Sequence, residues 1–173
     1  MKKVKKLLKK CGIGLTYVDY IELGRILSDK KVNLFRRFLL QNRFKRLGVK
    51  YGIEIPNFAN IGKELVLAHP YAITVNPKCK LGNNIVLFKG CTIGSIRGGI
   101  RKGTPVIDDN VVIGTNAMVC GGIHISSNVL IAANSFVDFD VPSNSIVIGN
   151  PGKIHYKENP TKDYVESVIR DIE

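Results

Sequence analysis

IGKELVLAHPYAITVNPKCKLGNNIVLFKGCTIG, residues 61–94, decides how the rest of the chain is read. In steps of six it places Ile61, Leu67, Val75, Leu81, Leu87 and Ile93. The series resumes at Ile107, Ile113, Val119, Ile125, Ile131 and Val137. Two breaks interrupt it, two extra residues between 67 and 75 and eight between 93 and 107. All twelve positions are Ile, Leu or Val, although those types supply only 25 of the 77 residues from 61 to 137. Chance would produce that roughly once in a million trials by a simple count of matches against background. A period of six fits neither a helix nor a single strand. It fits a solenoid of short parallel strands, in which no coil buries its apolar face until the next stacks on it.

The same register predicts a second inward position four residues after each aliphatic one: Cys79, Cys91, Ala117, Val129 and Ser135. Residues directly after the aliphatic positions, such as Gly62, Gly82, Gly94 and Gly114, are expected to make the turns. The SIRGGIRKGT segment, residues 95–104, carries three glycines and three cations. It cannot point inward and must project as a loop. Loops on a rigid scaffold often carry function.

IGKELV, LGNNIV, IGTNAM and IAANSF resemble the hexapeptide repeat of the left-handed β-helix acyltransferases, over roughly residues 53–155. The resemblance implies left-handed coils, an exception to the usual right-handed crossover. More narrowly, EIPNFANIGKELVLAHPYAITVNP is similar to the approach to the catalytic region of serine O-acetyltransferases and of related acetyltransferases from polysaccharide clusters. The expected fold class is therefore an all-β solenoid, a left-handed parallel β-helix with an N-terminal helical leader and a short C-terminal helix. The expected divisions are a basic leader at 1–52, the β-helix at 53–150 with its 95–104 loop, and a tail with a helix at 151–173.

By this resemblance His69, in LAHPYAITV, is the catalytic base, and Glu54 of EIPN stands where an Asp orients that base in serine acetyltransferases. The acetyl thioester of acetyl-CoA is already activated. A neutral imidazole that takes the acceptor hydroxyl's proton as the C–O bond forms is then enough chemistry, for typically 10²- to 10⁴-fold. The resemblance further implies a homotrimer with sites between subunits. It implies a pantetheine arm bonded to backbone at Ser95, Thr115 and Ala133, with Lys153, and Lys157 beyond it, reaching the nucleotide phosphates. Arg97, Arg101, Lys102 and Thr104 form the substrate-side loop, and no metal is expected.

Two residues depart from the serine acetyltransferase pattern. Ala68 stands where an Asp precedes the catalytic His and holds the serine amine, and Thr104 stands where a second His is expected. A basic leader of about fifty residues occupies the place of a larger helical domain. These departures shift the expected acceptor to a sugar or polysaccharide-precursor hydroxyl. The alternatives are serine itself and a non-enzymatic trimeric scaffold. A β-helix carbonic anhydrase would need three histidines on neighbouring coils, and His69 and His124 occupy different hexad positions while His155 lies beyond the coils.

The net charge of +12 is concentrated in the leader. Residues 1–50 hold 15 Lys and Arg against 3 Asp and Glu, whereas 51–173 hold 11 of each. Residues 1–12 place Val4, Leu7, Leu8 and Cys11 on one helical face among six lysines. Tyr17–Ser28 and Val32–Leu47 predict two further helices, the second ending at Gly48. Such basic amphipathic segments suit an anionic membrane surface or packing on the β-helix. No basic-aromatic module points to nucleic acid. The four cysteines, Cys11, Cys79, Cys91 and Cys120, lack metal-ligand spacing, and no apolar run is long enough to span a bilayer. The expected location is the cytoplasm, with the leader at the inner face of the membrane. After Asn159-Pro160, the stripe Tyr164, Val165, Val168, Ile169 and Ile172 predicts the short terminal helix.

Overall fold

A computed structural model describes residues 16–29, 31–56 and 58–164. The predicted helix at 1–12 and most of the C-terminal stripe lie outside them. Among the described residues thirteen strands form three sheets. The first sheet contains β1 (Leu65–Ala68), β4 (Ile85–Phe88), β7 (Val111–Ile113), β10 (Val129–Ile131), β12 (Ser145–Ile148) and β13 (Lys153–Tyr156). The second contains β2 (Thr74–Val75), β5 (Thr92–Gly94), β8 (Met118–Cys120) and β11 (Phe136–Val137). The third contains β3 (Lys80–Leu81), β6 (Val106–Ile107) and β9 (His124–Ile125). From β1 to β11 the chain visits the three sheets in rotation and every pairing between coils is parallel, giving a left-handed parallel β-helix.

All twelve hexad positions are buried, and they stack on one another from coil to coil: Leu67 on Leu87 on Ile113 on Ile131, and Val75 on Ile93 on Val119 on Val137. Each such side chain contributes roughly 1.5–3 kcal/mol when fully buried. Cys79, Cys91, Ala117, Val129 and Ser135 fill the second inward position, also buried. Burial pushes the thiol of Cys91 up to about 12 and that of Cys79 up to about 11, so both behave as small hydrophobes.

The turns are made elsewhere than expected. Gly62, Gly82 and Gly114 do not adopt positive φ. Instead the next coil's backbone passes so close that a Cβ at Gly62 would lie 2.4 Å from the Gly82 carbonyl oxygen. The left-handed residues come two positions later, at Glu64, Asn84, Asn110, Asn116, Asn128 and Asn134, with φ between 55° and 60°. Asparagine tolerates that region better than most residues. Its side chain also links coils, as where Asn84 Nδ2 donates to Asn110 Oδ1 at 2.9 Å.

The leader forms α1 (Tyr17–Ser28) and α2 (Leu34–Tyr51). The limits of α1 match expectation, and the Thr16 amide and hydroxyl both donate to the Asp19 carboxylate at its start. The second helix departs from the sequence reading. It begins after Asn33, whose side chain accepts from the Arg36 amide, and runs through Gly48 to end at Gly52, whose φ of 62° supplies the left-handed cap. Gly48 is instead a close-approach residue, because a Cβ there would sit 2.9 Å from the Ile53 carbonyl oxygen. Tyr20 anchors the helices to the first coil. Its ring is buried, stacked on Phe44 at 4.3 Å between centroids and edge-on to Phe58.

At the other end of the solenoid the chain leaves the coils near residue 150 and doubles back, and β13 pairs antiparallel with β12, closing the edge of the first sheet. The tail then crosses that sheet. Thr161 is buried and its hydroxyl donates to Asn128 Oδ1 at 2.7 Å, while Tyr164 meets Phe88 edge-on.

Candidate active site

His69 lies between β1 and β2, where the chain turns from the first sheet to the second. Here the six-residue period gains its two extra residues, and the corner widens. His69 and Ala72 both adopt left-handed backbone, with φ of 51° and 54°. The His69 carbonyl accepts the Tyr71 amide at 2.8 Å, and Pro70 is buried beneath, so the bulge is a closed turn. The imidazole is thereby presented at an exposed corner. Left-handed backbone at a residue with a Cβ costs on the order of 1–3 kcal/mol and clusters at functional sites. The bulge is braced from the leader side. Ala72 donates to the Tyr51 carbonyl at 3.0 Å, and the Tyr51 and Tyr71 rings meet at 5.5 Å.

Glu54 sits one coil earlier, pairing with Thr74 in the line of the second sheet through hydrogen bonds to Ile73 and Val75. Its neighbours Ile53 and Ile55 are buried and its own side chain is exposed. Glu54 and Thr74 line a cavity of about 860 Å³ between α1, α2 and the first coil, and His69 does not line it. The Glu54 carboxylate also helps raise the Tyr20 phenol. No hydrogen bond joins Glu54 to His69 among the described residues.

The expected cofactor contacts fall into two groups. Thr115 and Ala133 lie on the same first-to-second corner as His69, two and three coils further on. Their backbones stack, with Asn134 donating to the Thr115 carbonyl at 2.9 Å and Gly114 lying so close that a Cβ would approach the Ala133 amide to 2.7 Å. Ser95 is separated from them. It lies on the second-to-third corner, its hydroxyl accepting from Asn76 Nδ2 at 3.3 Å. Lys153 opens β13 and is exposed. Thus Ser95 does not share one groove with Thr115 and Ala133 within a single chain.

Residues 95–104 project from that second-to-third corner. Ile96 and Gly103 pair antiparallel with reciprocal amide-to-carbonyl bonds of 3.0 Å, and Ile100 stands fully exposed at the tip. Arg97 and Lys102 are exposed, Arg101 half-buried. The loop rests on the next coil, where Gly122 donates to the Arg101 carbonyl at 2.9 Å. Thr104 reaches back to the Lys78 carbonyl at 3.4 Å. His69 and this loop therefore occupy different corners of the triangular coil. The bracing of His69 by Tyr51, Tyr71 and Ala72 was not visible in the sequence, although the aromatic pair twenty residues apart straddles the first coil.

The other histidines are placed apart from His69. His124 points outward from the third sheet, with Nε2 3.0 Å from the Asp108 carboxylate, and His155 is exposed on β13. Among the described residues no three His, Cys, Asp or Glu side chains form a metal-binding group, and no helix is long and apolar enough to cross a membrane.

No protein-family model matches the chain. Relatives do. A serine acetyltransferase of Staphylococcus epidermidis is 37% identical over 144 residues, which cover 83% of this chain and 68% of that protein. One of Staphylococcus aureus is 44% identical over 103 residues, covering 60% and 48%. The chain spans about half the length of the Staphylococcus aureus relative. Among solved structures, the Neisseria gonorrhoeae serine acetyltransferase superposes with a TM-score of 0.65 at 32% identity, over 83% of this chain and 55% of that one. The same enzyme in complex with serine gives 0.63 at 34% identity, over 78% and 54%. The coil rotation, the widened corner that presents His69 and this likeness along most of the sequence agree, and the chain belongs to the serine acetyltransferase family.

Proposed function

We propose that the protein is an O-acetyltransferase that moves an acetyl group from acetyl-CoA directly to the hydroxyl of a small acceptor. The observation that carries this reading is the bulged corner holding His69 outward on left-handed backbone, on the same side of the solenoid as the stacked backbones of Thr115 and Ala133 two and three coils further on. In the ternary complex the acceptor oxygen attacks the thioester carbonyl while the imidazole removes its proton. The tetrahedral intermediate collapses, the C–S bond breaks, and the CoA thiolate leaves with that proton. Glu54 orients the imidazole once its carboxylate turns toward the corner.

The site is completed between copies. In a trimer with parallel solenoids, the His69 corner of one copy faces the Ser95 corner and the 95–104 loop of its neighbour. That brings together groups a single chain holds apart. Lys153 then meets the nucleotide phosphates.

The relatives favour L-serine as acceptor, in place of the sugar hydroxyl that the sequence reading put first. The sugar remains a second reading on one observation: Ala68 offers no carboxylate to an amino group beside His69. The test is acetyl-CoA binding by calorimetry and thermal shift, followed by release of CoA thiol with L-serine and then with glycan acceptors. A ligand at a hundred times its Kd raises stability by about 2.7 kcal/mol. Turnover with serine supports the first acceptor, and turnover only with glycans supports the second. Absence of acetyl-CoA binding overturns the enzyme reading and leaves a trimeric scaffold.

A further inference from the structure

Helix α2 uses only part of its apolar surface. Leu40, Phe44 and Leu47 turn toward α1 and the first coil. Leu34, Phe35, Phe38 and Leu39 do not, and they are 86%, 76%, 63% and 50% exposed. At 100° per residue these four fall within one arc of about 140°, clear of the packed face. Contiguous exposed aromatic and aliphatic side chains on a stable helix mark a surface that meets something.

The surrounding charge indicates what. Residues 30–53 contain eight Lys and Arg and no Asp or Glu. Lys45 and Arg46 lie on the same exposed arc and are themselves exposed. We propose that this face of α2 docks on an anionic lipid bilayer, with Phe35 and Phe38 entering the headgroup region and the cations meeting lipid phosphates. A second copy is the poorer occupant, because a self-complementary contact would set cations against cations with no carboxylate to offset them. Residues 1–15, with six lysines and no acid, are disfavoured on the same ground. The inference does not depend on the catalytic reading.

The full chain would be floated with vesicles of phosphatidylcholine alone and of phosphatidylcholine mixed with phosphatidylglycerol. Binding to the mixed vesicles only is expected. It should weaken as salt rises toward 1 M, where the screening length is about 3 Å. Phe35→Ser with Phe38→Ser should lower affinity by about tenfold or more, as buried apolar area is lost, with an unchanged melting temperature since neither ring is packed. The chain has no tryptophan, so Phe38→Trp supplies a single indole, at the surface, that can be excited apart from the tyrosines. Its emission should shift to the blue with anionic vesicles and be quenched by brominated acyl chains. Vesicle binding that survives the double serine variant would overturn the proposal. So would indole emission from the Phe38→Trp variant that does not respond to anionic vesicles. Emission already blue without lipid would assign the face to a second copy if it varied with protein concentration, and to the chain's own residues if it did not.

Discussion

The Tyr20 hydroxyl accepts a hydrogen bond from the Ile55 amide at 3.0 Å, tying α1 to the first coil across 35 residues of sequence. It also lies 3.4 Å from the carbonyls of Ile53 and Ile55. The ring carrying this hydroxyl is buried between Phe44 and Phe58. Tyr20→Phe keeps the ring and strands the Ile55 amide, which should cost about 1–3 kcal/mol. Denaturant unfolding would measure it, and an unchanged midpoint would mean that the leader does not depend on this contact.

The same burial makes the protein sensitive to alkali. Burial pushes the Tyr20 phenol up to about 12, the Ile55 amide pulling the other way, and pushes Cys91 up to about 12 and Cys79 up to about 11. Their ordinary values are 10.0 for the phenol and 9.0 for the thiols. A group raised in the folded state contributes stability fully below its unfolded value and loses it as pH rises through the folded one. Stability should therefore fall from about pH 9 toward pH 12. Melting temperatures across that range should fall less steeply in Cys91→Ala, and above pH 10 less steeply in Tyr20→Phe.

Close stacking of coils predicts two opposite glycine results. A Cβ at Gly114 would lie 2.7 Å from the Ala133 amide and 2.9 Å from the Ile131 carbonyl oxygen. Gly114→Ala should destabilise by about 1–3 kcal/mol, the usual cost of overpacking. At Gly98, on the projecting loop, a Cβ meets nothing within 4 Å. Gly98→Ala should change stability by less than about 0.5 kcal/mol. Equal effects at both sites would contradict the account of why glycine occurs after the hexad position.

His69→Ala should lower turnover by about 10²- to 10⁴-fold, the usual worth of a positioned base. Acetyl-CoA binding and the melting temperature should stay near those of the parent, since the imidazole is exposed and makes no packing contact that the core needs. Glu54→Gln should lower turnover less. A His69→Ala protein that also failed to bind acetyl-CoA would assign the residue to binding instead of proton transfer.

The serine acetyltransferase relatives also show where motif reading and acceptor reading part. Ala68 and Thr104 point away from serine, while identity along 144 residues points toward it. Single positions report one contact each, and an acceptor can be held by other groups of the completed site.

The six-residue period by itself determined the coils, the inward positions and the place of the projecting loop. Burial in a solenoid repeats with the step of the chain, and every one of the twelve aliphatic positions proved buried. It also singled out the break after Leu67, where His69 stands. Only the tertiary structure decided what lies on which corner. Sheet order separates Ser95 and the 95–104 loop from His69, Thr115 and Ala133, and a one-dimensional period does not record which corners are joined across space. The end of α2 at Gly52 and the return of β13 were likewise decided by packing. Gly48 is needed for close approach to Ile53, and the last coil leaves an edge that the chain itself closes. The two faces of α2 show the same division. The sequence placed its apolar residues on a helix, but only contact with Tyr20 and Phe58 decided which of them are buried and which remain exposed.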